Sequence, residues 1–261
     1  MRSIAIIIPA YNEERRIGPT LLSYSKFFEV LNKKGVLKHY ILIVINNTTD
    51  GTEAIVRKHM KKHKSVNYIN LVRGGKGYAV VEGFKKVLDM KYDYIGFVDA
   101  DSATSASEYY KLITKLEHCD GVVGERYAKG ASIHPKPTLA RFIAKRLFNF
   151  VVRAVMLLPY TDTQCGAKIF KRKVIEKILP SLSMSQWAFD VELLYQSHKN
   201  SFRIVSVPTQ WFDKKDATIN FWNAGPFMVM GIIRLRIINS PFKSFVRFYD
   251  SLLRLLKNEK T

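Results

Sequence analysis

Short apolar runs rich in β-branched residues alternate with longer segments of helical periodicity along the first half of the chain. IAIIIP from Ile4, YILIVIN from Tyr40, VNYINLV from Val66, YDYIGFVDAD from Tyr92 and GVVGE from Gly121 read as strands, because short aliphatic runs without polar alternation suit strands buried on both faces. Between them, residues 13–31, 51–63, 76–90 and 106–116 read as helices. This alternation predicts an α/β fold, a mostly parallel sheet flanked by helices. Ligands of such sheets bind beyond the carboxyl ends of the strands, so the residues that follow each run are the candidates for chemistry.

The pattern changes after about residue 130. A Pro-punctuated basic loop, GASIHPKP, leads into the apolar and basic stretch LARFIAKRLFNFVVRAVMLLP, and FRIVSVPTQWF from Phe202 reads as a further strand closing the core. Beyond Asp216, aromatic and aliphatic residues interleave with Arg and Lys. The expected organisation is one α/β domain over residues 1–215 and an amphipathic helical tail over residues 216–261. Two readings stand for the stretches 142–158 and 242–257: helices facing a core, or helices lying in a membrane interface, which their Arg and Lys beside Phe, Trp and Leu favour. The N-terminal apolar run, Ile4 to Ile8, ends at Pro9 and reads as a first strand, too short for the apolar core of a signal peptide. No run of about 18 uncharged apolar residues occurs, so membrane contact is expected to be peripheral.

With 47% hydrophobic residues in 261, the chain can bury one sizeable core. The formal charge of +20, from 42 Lys and Arg against 22 Asp and Glu, calls for an anionic partner. Nucleic acid is set aside, because the 13 Tyr and 16 Phe fall in apolar runs and no RNA- or DNA-binding motif accompanies them. Anionic lipid and phosphorylated substrates remain. The two cysteines, Cys119 and Cys165, give neither a disulfide framework nor metal-binding spacing, which fits a reducing compartment.

FVDAD places Asp99 and Asp101 at the end of a strand. Two carboxylates separated by one residue there can converge on a hard divalent cation that neutralises a diphosphate, or can simply cap the loop. Asn12 and Glu13 have the pattern of a helix N-cap with an acidic first turn. GGKG, with Lys76, lacks the spacing and first-strand placement of a dinucleotide-binding glycine motif.

Taken in order, IAIIIPAYNEE, INNTTDGT, GGKG and DAD resemble the inverting, nucleotide-sugar-dependent glycosyltransferases of GT-A fold. DTQCGAKIF from Asp162 and WAFDVELLY from Trp187 resemble the dolichyl-phosphate β-glucosyltransferase branch, so the likeness spans roughly residues 4–212. The resemblance implies an inverting transfer of glucose from UDP-glucose to a dolichyl or polyprenyl phosphate. It also implies an Mg or Mn ion and a cytoplasmic protein peripheral to the cytosolic face of a membrane. Mannose or another sugar, from GDP or UDP, and another acceptor are the alternatives. Carried over by position, Pro9, Ala10, Tyr11, Asn12, Glu13 and Ala100 line the nucleotide pocket, Lys76 approaches the diphosphate, and Asp99 and Asp101 hold the metal. Asp190 lies where relatives carry a catalytic base. An acceptor phosphate, with a second pKa near about 6, arrives ionised and needs no strong base, which leaves Asp190 to hold sugar hydroxyls or the metal's surroundings. Glu192, two residues on, is either a partner in that role or an ion-paired helix carboxylate. Arg126 and Arg141, with Lys145 one turn beyond, match positions that hold the lipid phosphate. Asp162 and Gln164, with Cys165 and Gly166, form the wall around the transferred sugar. Two departures stand out. Ile45 and Asn46 replace an acidic pair, and an amide can accept from uracil N3 and donate to O4, which favours UDP. Ala103 stands where some relatives place a metal-contacting Gln, so weak metal binding without donor is expected.

Overall fold

A computed structural model describes residues 1–183, 188–213 and 221–251, apart from the side chains of 221–224, 226 and 227. Trp187, the boundary at 215/216 and residues 252–261, which include the end of the 242–257 stretch, lie outside the described residues.

The five apolar runs all become strands: β1 (Arg2–Ala10), β2 (Leu37–Asn46), β3 (Val66–Leu71), β4 (Tyr94–Val98) and β5 (Gly121–Glu125). Helices α1 (Ile17–Lys33), α2 (Thr52–Met60), α3 (Lys76–Leu88) and α4 (Ala106–Thr114) join them. The chain then leaves the sheet through β6 (Ser132–His134) and α5 (Leu139–Met156), and returns as β7 (Ala167–Lys171), α6 (Arg172–Ile178), α7 (Phe189–Lys199), β8 (Ile204–Pro208), β9 (Gln210–Phe212) and α8 (Phe221–Ile238). Seven strands form one sheet in the order β3-β2-β1-β4-β7-β5-β8, and β6 pairs with β9 in a separate parallel pair. Within the large sheet only β7 runs antiparallel to its neighbours. The expected mostly parallel sheet is what forms.

Two results were not visible in the apolar pattern. β7 is wedged between β4 and β5, with Phe97 opposite Lys168 and Val98 opposite Ala167. FRIVSVPTQWF is two strands in two sheets, parted at Thr209, whose N–H donates to the Glu125 carbonyl while its own carbonyl accepts from Ser132 N–H.

The core lies on both faces of the sheet. On one face, Tyr24 and Phe28 of α1 and Tyr109 and Leu112 of α4 pack on Ile4, Ile6 and Ile43. On the other, Val80, Phe84 and Val87 of α3, Val174 of α6 and Phe189 of α7 cover Ile7, Leu42 and Phe97. Large aromatics carry much of this burial, and truncating Phe28 or Phe84 to Ala would cost about 3–5 kcal/mol. A third cluster joins Phe148, Val152 and Met156 of α5 to Val191 and Leu194 of α7 and to Ile232 and Leu235 of α8. The helix that opens the 216–261 segment thus shares a core with α5 and α7.

Candidate functional site

β1, β2 and β4 run parallel and end side by side at Ala10, Asn46 and Val98. The loops that follow them meet the N-terminus of α3, whose first residue is Lys76. The Lys76 ammonium lies 2.8 Å from Asp99 Oδ1 and 3.4 Å from Asp190 Oδ2. On the far side of Asp190, Lys168 Nζ donates to Oδ1 at 2.6 Å and to the Cys165 carbonyl, also at 2.6 Å. Both ammonium groups sit over the Phe97 ring, 5.5 and 5.4 Å from its centroid. The result is a row of alternating charge, Lys168, Asp190, Lys76, Asp99, assembled from β7, α7, α3 and the end of β4.

Burial raises the Asp190 carboxyl, but Lys168 and Lys76 outweigh it and hold the group below the usual carboxylate range. Burial likewise pulls Lys76 down, and Asp190 and Asp99 more than reverse that, so the ammonium stays charged. Asp101, whose Oδ1 accepts from Ala103 N–H at 2.9 Å, is pushed up by burial and by the negative charge of Asp99. Glu13 joins this acidic corner. Burial lifts it to about 7 against the pull of Arg16, which grips it bidentately at 2.6 and 2.8 Å, and Asp101 and Asp99 add to the rise.

How tightly Gly166 backs this corner is visible only in the fold. Its carbonyl accepts from Asp99 N–H at 3.0 Å. A Cβ placed on Gly166 would stand 1.8 Å from Asp99 Oδ2. The Asp99 carboxylate therefore occupies space that only glycine leaves free.

The remaining donor-side residues take different positions. Pro9, Ala10 and Ala100 are buried in the floor, and of this group Tyr11, at 54% exposure, reaches solvent. Asn46 is also buried, and both ends of its amide are taken: Nδ2 donates to the Ala10 carbonyl and Oδ1 accepts from Gly75 N–H, each at 3.0 Å. Gly75 itself has φ +125°, a conformation suited to glycine. Asn46 thus ties the glycine turn to β1, and the expected hydrogen bonds to uracil would require both of these to open. Asn12, at φ +51°, accepts from Thr49 N–H and fastens its loop to the one after β2.

A second group forms where β5 ends. Arg126 and Asp162 are locked together, with Nε to Oδ2 at 2.7 Å and Nη2 to Oδ1 at 2.8 Å, and the Arg126 N–H also donates to this carboxylate. Asp162 is fully buried and Arg126 largely so, and the guanidinium lies over Trp211, 5.0 Å from the centroid of its ring. Arg126 is accordingly committed to Asp162 and is not the open phosphate grip that its position suggests. Arg141 and Lys145 face Asp213 at 3.7 and 3.9 Å. Burial, and then the positive charge of Arg126, lower the Lys145 ammonium. The Gln164 N–H donates to Asp162, while its buried Nε2 has no partner among the described residues. Glu192 faces away from both groups, accepting from Ser183 N–H at 2.7 Å. Lys168, Arg16 and Asp213 were not anticipated. A lysine inside the apolar run AKIF was the one signal for Lys168.

A family model, Glycosyl transferase family 2, matches residues 5–179. The chain belongs to this family. The glycosyltransferase is 31% identical over 244 residues to a dolichyl-phosphate beta-glucosyltransferase of Dictyostelium discoideum, covering 89% of this chain and 73% of that one. It is 27% identical over 258 residues to the Homo sapiens protein of the same name, covering 93% and 78%. Among solved structures it resembles glucosyl-3-phosphoglycerate synthase from Mycobacterium tuberculosis in complex with Mn2+, uridine diphosphate and glucosyl-3-phosphoglycerate. That match has a TM-score of 0.66 at 16% identity over 90% of this chain and 79% of that one. A mannosyltransferase from Pyrobaculum calidifontis in complex with GDP-Man and Mn2+ matches with a TM-score of 0.58 at 16% identity, covering 90% and 63%. The glycosyltransferase has the GT-A-like fold of these neighbours.

Proposed function

We propose that this glycosyltransferase moves glucose from UDP-glucose to a dolichyl or polyprenyl phosphate, with inversion, at the cytosolic face of a membrane. The observation that carries the reading is the agreement of relatives near 30% identity, from Dictyostelium to human, on one name, dolichyl-phosphate beta-glucosyltransferase. The choice of UDP rests on the solved neighbour that holds that nucleotide, not on Asn46, whose amide is already used.

The residues present suit a divalent cation. Burial, and then the negative charge of Asp99, raise the Asp101 carboxyl, and Gly166 leaves room for the Asp99 carboxylate. Among the described residues no three of His, Cys, Asp or Glu gather into a ligand set, and Asp99 and Asp101 are the residues that would hold the ion. Held by Asp99 and Asp101, Mg or Mn would supply charge neutralisation for the leaving diphosphate. Lys76 supplies a second positive charge beside it. Asp190, pinned by two ammonium groups and held ionised, anchors Lys76 rather than removing a proton. The acceptor needs no base, because a phosphate monoester is largely ionised at neutral pH, its second pKa being about 6. It attacks the anomeric carbon from the face opposite the nucleotide, and the gain comes from holding the two substrates in line.

Arg141 and Lys145, loosely opposed by Asp213, are the cations on α5 assigned to the acceptor phosphate. The same helix turns Leu139, Phe142, Ile143, Leu147 and Phe150 to solvent, and Phe242, Phe245 and Phe248 are exposed as well. Apolar side chains beside Arg146 and Arg153 fit an anionic membrane surface. No helix among the described residues is long and apolar enough to cross a membrane. The division into a GT-A domain over 1–215 and a membrane-associating tail over 216–261 belongs to this proposal.

Incubation with UDP- and GDP-sugars and a short polyprenyl phosphate tests the reading by product mass. A hexosyl phosphoprenol formed from UDP-glucose and lost with EDTA is expected. Preferred use of GDP-mannose, or transfer only to a non-lipid acceptor, would overturn it.

A further inference from the structure

Lys76 stands where a cation is wanted. Its ammonium, 2.8 Å from Asp99 Oδ1, is a full positive charge on a carboxylate assigned above to the metal. The group is not free to swing away at no cost. Asp190 steadies it from the other side at 3.4 Å. Asp190 is in turn fixed by the fully buried Lys168, whose second bond goes to the Cys165 carbonyl. Lys168 thus takes Oδ1 of Asp190 and leaves Oδ2 turned toward Lys76.

We propose that Lys76 is a built-in counter-ion that holds the cation's place at Asp99 until the nucleotide diphosphate arrives. This rests on the reading of Asp99 and Asp101 as metal carboxylates. The charges explain why such a device is needed. Asp99 and Asp190 face one another across Lys76, at 2.8 and 3.4 Å from its ammonium. Without a resident cation Asp99 would lose its partner and the corner would be more repulsive still. A diphosphate brings negative charge of its own to the mouth of the site. The flexible four-carbon stem lets the ammonium follow that charge and release Asp99 to the metal. Metal and donor then bind together, and metal alone binds poorly because it must first displace a like charge from the Asp99 carboxylate.

The test measures Mn2+ binding by the loss of the free-ion paramagnetic resonance signal, with and without UDP, on the full chain. In the absence of UDP, Lys76→Met should bind Mn2+ at least roughly tenfold more tightly than the parent, and Lys76→Arg should resemble the parent. Lys168→Met removes the same charge from the same cluster without touching Asp99, and should change the affinity by less than about threefold. With UDP present the advantage of Lys76→Met should vanish or reverse. Lys76→Met binding Mn2+ alone no more tightly than the parent overturns the inference. So does an equal gain in Lys76→Met and Lys168→Met, which would mark a general field rather than an occupied place. A parent that binds no Mn2+ even with UDP removes the metal site itself, and the inference with it. A parent that binds Mn2+ only with UDP, together with an unchanged Lys76→Met, removes the inference alone.

Discussion

Gly166→Ala probes the site with one methyl group. A Cβ at this position would lie 1.8 Å from Asp99 Oδ2 and 2.3 Å from its Cγ, whereas carbon atoms in contact sit about 3.5 Å or more apart. The Asp99 carboxylate must therefore shift by more than about 1 Å from the position in which it meets Lys76. Gly166 does not have the positive φ that favours glycine, so the substitution strains the carboxylate and not its own backbone. Overpacking of this kind costs about 1–3 kcal/mol of stability, which at about 2–4 °C per kcal/mol leaves a folded protein with a modestly lower melting temperature. Misplacement of a reacting group by about 1 Å costs on the order of 100-fold in rate. Initial rates of glucose transfer from labelled UDP-glucose to a short polyprenyl phosphate, beside calorimetric titration of UDP with Mn2+, should show both the rate loss and weakened metal-dependent nucleotide binding. A Gly166→Ala protein that turns over within about threefold of the parent, with unchanged UDP affinity, would refute the placement of the metal at Asp99.

Arg126→Ala leaves Asp162 buried and unpaired, a change that costs about 3–5 kcal/mol and should lower the melting temperature by roughly 10 °C; the double variant with Asp162→Asn should recover part of this. A melting point within about 2 °C of the parent's would return Arg126 to the acceptor site as an open cation. His59 is pushed down to about 4 by burial and by His63 stacked 4.2 Å away. Between pH 6.5 and about 4 the unfolded chain takes up a proton that the folded one refuses, so stability falls as pH drops. From pH 7 to pH 5 the parent should lose about 1 kcal/mol more than His59→Gln, read as a difference of about 2–4 °C in melting temperature, and parallel curves would contradict this. On α5, Leu147→Ser with Phe150→Ser removes two exposed apolar side chains, each contributing about 1.5–3 kcal/mol when fully buried. Co-sedimentation with phosphatidylserine vesicles should weaken by at least about tenfold while UDP affinity stays unchanged. Equal sedimentation of the two proteins would assign the membrane contact to another surface.

The parallel part of the sheet was legible because burial on both faces demands uninterrupted aliphatic runs, and β1 and β2 are just that. β7 escaped because Lys168 interrupts AKIFK, and the charge is tolerated there only through Asp190, 22 residues further on. The same reason hid the true state of Arg126, whose partner lies 36 residues away. Asp99, Asp101, Lys76 and Asp190 lie at one end of the sheet because each follows a strand or opens a helix there. Asn46 was placed at the right end of β2 with the wrong partners. An amide has two polar ends, and which backbone groups come to meet them is decided by the loops of β1 and α3, not by the local string.

β5 stops at Glu125 and β7 starts at Ala167 beside it, so everything between departs from one end of these strands and comes back to the same end. The Arg126–Asp162 pair buttons the two stems together at their root. Residues 127–161 are in this sense a cassette whose ends are sewn shut independently of its contents. A foreign segment grafted between these stems should leave the charged row at Lys76 and Asp99 standing. It must still present a ridge equivalent to Phe148, Val152 and Met156 to α7 and α8. New acceptors could then be sought in this scaffold by exchanging one stretch of chain, with the nucleotide end untouched.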